Sequence, residues 1–271
     1  MNKISVVIPT YNRMNEITKS VDSVVNQTLQ PDEIIIVDDG SVDDTEFVIN
    51  NYINSNPNSN IRYFKKENGG ASSARNYGIM KASNAIIAFH DSDDIWRSNK
   101  LEVQMEYWNS HPEYSMIYCA FTTHYDDHKD ITHPNDAVWG NLEGDIQSTL
   151  LVNNTIGAPT ILAYKDALIA CGMFNESLRC LEDWEMVIRF AQKYQIGYVN
   201  EILVDAYQHF MGVSSNTASF YEIQCRIIAQ NKDYLITNNL FDKVVSTLFS
   251  RAQKTGCLPE VQKILMIYLR G

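Results

Sequence analysis

The sequence predicts an α/β protein built on a mainly parallel sheet flanked by helices, with a helical appendage at its C-terminal end. Three observations carry that prediction. Short β-branched runs alternate with stretches of helical periodicity up to Phe89. Polar, turn-forming signatures follow three of those runs. Residues 216–271 place apolar side chains at helical spacing and contain no motif with obvious chemistry.

Residues 4–8 (Ile-Ser-Val-Val-Ile) are nearly continuous in apolar character, as in a strand buried on both faces of a parallel sheet. Pro9-Thr10-Tyr11-Asn12 ends this run. Ile17, Val21, Val24 and Val25 then recur at helical spacing, with Asn12 or Asn15 available as N-cap and Pro31 as the stop. Residues 33–37 form a second buried strand. It runs into Asp38-Asp39-Gly40-Ser41, where glycine permits a tight turn. A helix with Phe47, Val48 and Tyr52 among its apolar positions follows, then an Asn/Ser-rich loop. Residues 61–64 are a weaker strand, 71–82 a helix that opens on small residues, and 85–89 a fourth strand. This β-α-β-α-β-α-β order implies right-handed crossovers and a ligand site at the carboxyl ends of the strands.

The fourth strand ends in His90-Asp91-Ser92-Asp93-Asp94. Carboxylates this close resist ionising together, so the segment is either solvated or holds a cation. Carboxylate oxygens suit hard ions such as Mg²⁺ and Mn²⁺. Three polar signatures at three strand ends, with residues 69–75 on the same rim, converge on one nucleotide-like site.

Farther on, residues 101–108 read as a helix and 115–121 as a fifth strand. Residues 122–144 read as a polar loop. Its His124, His128 and His133 share no helix face and read as solvated rather than as a transition-metal site. Residues 158–163 read as a strand, 165–170 as a helix and 202–206 as another strand. Leu181-Glu182-Asp183-Trp184-Glu185 opens a helix. Acids in a first turn are favoured by the helix dipole, which gives Glu182 and Asp183 a structural reason to be there as well as a chemical one.

The net charge of −11 argues against a nucleic-acid partner, which would demand a basic face. Five scattered cysteines without a C-x-x-C pair fit a reducing compartment. The chain enters its first strand at once, and no apolar run approaches the roughly 20 residues needed to span a bilayer. A soluble, cytoplasmic protein is expected. The turn after the first strand lacks G-x-G-x-x-G, which argues against a dinucleotide-binding dehydrogenase. It also lacks a Gly-rich, basic phosphate loop, which argues against a nucleotidyltransferase.

Six motifs, in order, resemble those of family 2 glycosyltransferases with a Rossmann-like GT-A fold. They are Val7-Ile8-Pro9-Thr10-Tyr11-Asn12, Ile36-Val37-Asp38-Asp39-Gly40-Ser41, Asn68-Gly69-Gly70-Ala71-Ser72-Ser73-Ala74-Arg75-Asn76, His90-Asp91-Ser92-Asp93-Asp94, Gly172-Met173-Phe174-Asn175-Glu176 and Glu182-Asp183-Trp184. The resemblance covers residues 3–215. It implies a catalytic domain over 1–215, with a nucleotide-binding half (1–95) and an acceptor-binding half (96–215), followed by the 216–271 extension.

The resemblance also implies roles. Pro9 and Tyr11 line the nucleotide pocket, and Asp39 accepts the base imide N–H. Arg75 faces the phosphates, and Asp91 with Ser92 fixes the nucleoside. Asp93 binds Mn²⁺ or Mg²⁺. Asp183 is the catalytic base of an inverting transfer, with Glu182 positioning the sugar or acceptor. Trp184 packs either on a sugar or in the core. The expected donor is a UDP-sugar. The expected acceptor is a glycan on a lipid carrier at the membrane face, in O-antigen or capsule synthesis, with its selection in residues 122–157 and the tail. The chain departs from the family in two places. Tyr207-Gln208-His209 stands where the family often has Tyr-Arg-x-His, which leaves His209 as the candidate for the metal or diphosphate. His90 stands where an apolar or small residue is usual.

Overall fold

A computed structural model describes residues 3–126, 129–135, 140–208 and 217–270. The first part of the chain forms β1 (Ile4–Thr10), α1 (Ile17–Val25), β2 (Glu33–Asp38), α2 (Thr45–Ser55), β3 (Ile61–Lys65), α3 (Ala71–Lys81) and β4 (Ile86–Phe89). β1, β2 and β4 are buried along their whole length, as their unbroken apolar runs require. All pairings among β1–β4 are parallel, in the order β3-β2-β1-β4. Their carboxyl ends therefore open on one edge. α3 lies unusually close to β1, because Gly78 has no side chain; a Cβ there would collide with Val7 Cγ1.

The second part adds β5 (Ile95–Trp96), α4 (Lys100–Ser110), β6 (Met116–Tyr125), β7 (Asp130–His133), α5 (Gln147–Val152), β8 (Leu162–Tyr164), α6 (Lys165–Ala170), α7 (Glu182–Ala191) and β9 (Ile196–Gln208). The sheet continues β4-β8-β6-β9-β5, with β7 on β6. Here antiparallel pairs enter, at β4–β8, β6–β8, β6–β7 and β5–β9, while β6–β9 is parallel. The sheet is thus mixed, as a GT-A fold requires. The extension forms α8 (Thr217–Gln230), α9 (Lys232–Thr237), α10 (Phe241–Lys254) and α11 (Leu258–Arg270). Its buried Leu235, Leu248 and Leu265 join the apolar cluster that also holds Trp184 and Phe190 of α7.

Several expectations need correction. Neither Asn12 nor Asn15 caps α1; the cap position is Glu16 and carries no side-chain bond. Asn12 instead adopts a left-handed backbone (φ 51°), and its Oδ1 accepts the Val42 N–H at 2.9 Å. Pro31 does not stop α1, which ends at Val25. Phe47 is 66% exposed, and Ile49 supplies the buried face of α2 instead. Residues 158–160 form a 3-10 turn rather than a strand, since Pro159 has no N–H for a ladder. The stretch read as a polar loop contains most of a hairpin. β6 runs on to Tyr125 and pairs with β7, whose exposed edge tolerates polar residues. His128 and His209 lie outside the described residues.

Candidate active site

The loops after β1 and β2 are stitched together. Asn12 N donates to Ser41 Oγ at 2.9 Å, and Ser41 N donates to Asp38 Oδ1 at 2.7 Å. Asp38 Oδ2 accepts the Tyr63 hydroxyl at 2.7 Å. Asp39 is buried and holds the next loop. Lys66 Nζ reaches its Oδ1 at 2.7 Å, and Gly70 N reaches its Oδ2 at 2.6 Å. Gly69 N is shared between the two oxygens. Gly70 adopts φ 92°, a left-handed backbone that favours glycine. Pro9 is buried within β1, whereas Tyr11 stands 47% exposed at the rim.

The acidic turn follows β4. Asp94 N donates to Asp91 O at 3.2 Å, which closes the turn, and Ser92 is buried inside it. Arg13 Nη2 pairs with Asp93 Oδ2 at 2.7 Å. Asp94 is buried, and its Oδ1 accepts the Tyr207 N–H at 3.1 Å. Burial, then Asp91 and Asp93, push its carboxyl well above the usual range. His90 now has a physical account. It is fully buried beneath α1, with Nε2 3.3 Å from Ser20 O and its ring 4.6 Å from that of Trp96. Burial pushes it down to about 3, so it packs as a neutral ring. Its Nδ1 is buried with no hydrogen-bond partner among the described residues.

Arg75 joins this turn to α7. Its Nη2 donates to Asp91 Oδ1 and its Nη1 to Glu182 Oε1, both at 2.7 Å. The guanidinium lies 5.3 Å from the Phe174 ring centre. The two partner acids are 91 residues apart in the chain, yet one buried guanidinium bridges both. A second tie runs alongside. Asn76 Nδ2 donates to Phe174 O at 2.8 Å and to Glu176 Oε1 at 2.9 Å, while Phe174 N donates to Asn76 Oδ1 at 2.9 Å.

Asp183 sits one residue beyond Glu182, in the first turn of α7. Leu181 before it takes a left-handed backbone, φ 56°. Asp183 Oδ1 accepts Trp184 N at 2.7 Å, and Oδ2 accepts Ala158 N at 3.3 Å. Burial and then Glu182 raise its carboxyl to about 7, against the lowering effect of Arg75. A group so placed ionises near neutrality, which suits proton transfer at neutral pH. Trp184 belongs to the core: it is buried, and its Nε1 donates to Leu150 O at 2.7 Å.

The structure therefore brings Asp91, Ser92, Asp93, Arg75, Glu182 and Asp183 into one connected cluster. Asp39 and Tyr11 stand on the adjoining rim. Sequence reasoning missed Arg13, Lys66, Tyr63 and Asn76 as organisers. Asn76 lay inside a quoted motif, and Arg13 directly follows one. His124 and His133 go separate ways. His124 pairs with Asp130 and Asp205, while the His133 ring stacks 4.7 Å from Phe121.

The model of Glycosyl transferase family 2 matches residues 5–172. An uncharacterized glycosyltransferase of Rickettsia bellii is 32% identical over 201 residues, which is 74% of this chain and 28% of that protein. Among solved structures, S. aureus TarS 1–349 in complex with UDP-GlcNAc superposes with a TM-score of 0.74 at 21% identity, over 98% of this chain and 79% of that one. The mannosyltransferase PcManGT of Pyrobaculum calidifontis, in complex with GDP-Man and Mn²⁺, gives 0.65 at 16%, over 98% and 74%. These likenesses establish the GT-A fold. The family match spans the acidic turn and every strand end that builds the rim, and on that footing the chain belongs to glycosyl transferase family 2.

Proposed function

We propose that the protein is an inverting glycosyltransferase that moves a sugar from a UDP-sugar to a hydroxyl of a glycan acceptor. The observation that carries this reading is the Arg75 bridge, which sets Asp183 beside the acidic turn. In the reaction, the acceptor oxygen attacks the anomeric carbon from the face opposite the diphosphate. Its proton passes to Asp183 as the new C–O bond forms and the bond from carbon to phosphate oxygen breaks. The developing positive charge on the sugar resembles that in glycoside hydrolysis. Glu182, held by Arg75, positions the sugar or acceptor. Tyr11 borders the base, and Asp39 holds the loop that faces it.

The donors at the acidic turn fit a hard divalent ion, Mn²⁺ or Mg²⁺. Among the described residues no group of three or more His, Cys, Asp or Glu is arranged to hold one. The residues that would hold it are Asp93 and, as the resemblance implies, His209, which lies outside the described residues. When bound, such an ion supplies Lewis-acid neutralisation of the departing diphosphate. Arg13 already neutralises Asp93 and would give way to it.

The family's bacterial members suggest a lipid-linked acceptor, O-antigen or capsule assembly, and work at the cytoplasmic membrane face. No helix among the described residues is long and apolar enough to cross a membrane.

The test is a thermal-shift panel of UDP, dTDP and GDP, each with Mn²⁺ and with EDTA. UDP with Mn²⁺ is expected to stabilise the protein most. No shift with any nucleotide would refute the reading, and a dTDP or GDP preference would correct the donor.

A further inference from the structure

A second built cluster borders the cleft, and the donor chemistry leaves it unused. It lies on β6, β7 and the end of β9. His124 lies near the end of β6, beyond the register shift that the β6–β9 pairing takes at Ala120. Tyr207 of β9 stands opposite His124 in register, with the two rings stacked at 5.1 Å and 27°. Asp130 of β7 stands opposite His124 on the other side, 2.9 Å from its Nδ1.

The imidazole is fixed at both nitrogens. Asp205 Oδ1 lies 3.1 Å from Nε2. Asp205 is itself clamped by Arg97, whose Nε and Nη2 both donate to it at 3.0 Å. The hydrogen bond to Asp205 and then the one to Asp130 raise the His124 ring, and together they fix its orientation. Tyr207, with this rigid backing, is still 43% exposed. Its backbone N–H is the one that Asp94 Oδ1 accepts, so the exposed ring is tied directly to the acidic turn.

A single exposed aromatic side chain normally needs no explanation. One backed by a doubly anchored imidazole, edged by carboxylates and tethered to the acidic turn has the features of a saccharide platform. The apolar C–H face of a pyranose packs on an aromatic face, and its hydroxyls donate to carboxylates in the same plane. We propose that Tyr207, backed by His124 and edged by Asp130, forms a subsite for a neutral pyranose ring of the acceptor. The inference deepens the transferase reading and rests on it.

The experiment is saturation-transfer NMR on protein loaded with UDP and Mg²⁺. The probes are methyl β-D-glucopyranoside, methyl β-D-galactopyranoside and methyl N-acetyl-β-D-glucosaminide. Transfer to at least one glycoside is expected, strongest at the C–H protons of one ring face. Tyr207→Ala should weaken that binding about tenfold, while Tyr207→Phe retains it. Asp130→Asn, on an exposed edge strand where it cannot disturb the core, should weaken it by a smaller factor. UDP affinity, measured on the same samples, should be unchanged in all three variants. The subsite is overturned if wild type shows no transfer with any probe, or if Tyr207→Ala binds as wild type does. Failure of wild type to bind UDP would instead overturn the transferase reading.

Discussion

Asp39 and Asp183 are carboxylates on one cleft, held in contrasting ways. Asp39 is gripped by Lys66 Nζ and by the amides of Gly69 and Gly70. Asp183 has two backbone amides, one of them at 3.3 Å, and no cation bonded to it among the described residues. The first arrangement spends a carboxylate on fixing a loop before any ligand arrives. The second leaves a carboxylate poorly solvated and close to Glu182, so it resists ionising. A binding rim benefits from saturation, because groups already in place cost no ordering when the ligand binds. A general base benefits from the opposite, because a fully satisfied carboxylate would be too acidic to take a proton. Arg75 lies between the acidic turn and α7, with one nitrogen on Asp91 and one on Glu182, the neighbour of Asp183.

The largest expected effect breaks the reacting side alone. Asp183→Asn should lower turnover about 100- to 10,000-fold while UDP binding, read by calorimetry, stays at the wild-type value. Weakened UDP binding in that variant would show that the two regimes are not separable. Next comes the link. Arg75→Met leaves Asp91 and Glu182 partly buried without their cation, and should cost about 3–5 kcal/mol in chemical denaturation. It should also impair both UDP binding and turnover, unlike Asp183→Asn. Smaller again is Gly78→Ala, which forces α3 off Val7 and should destabilise by about 1–3 kcal/mol. Because α3 carries Arg75, UDP affinity should fall with it. The smallest is Trp184→Phe, which loses the bond to Leu150 O and should cost about 1 kcal/mol in thermal unfolding. It should leave acceptor saturation unchanged, since this indole is in the core.

The same contrast explains what the sequence made visible. β1, β2 and β4 announce themselves because strands buried on both faces carry unbroken Ile/Val runs. Asp93 and Asp183 stand out because each sits at an element boundary with acids beside it. β7 was invisible: an exposed edge strand reading Asp-Ile-Thr-His has no apolar face to betray it. The role of Arg13 was hidden for another reason. Its partner Asp93 is 80 residues away, and nothing local marks the pairing. Asn12 looked like a helix cap because the residue type suits one. The left-handed turn that redirects it to Val42 depends on the neighbouring β2 loop. Interactions made within one element were legible, and those made between loops were not.

The most direct measurement is UDP release from a UDP-sugar, followed against pH in wild type and Asp183→Asn, with water or a supplied glycoside as acceptor. As the proposed base, Asp183 would work only when ionised, and its carboxyl is raised to about 7. Release by wild type should therefore fall as pH drops through about 7 and level off above it. Asp183→Asn should bind the donor equally, release UDP at least about 100-fold more slowly, and lose that pH limb. Equal release by the two proteins, or an unchanged limb in Asp183→Asn, would contradict the account.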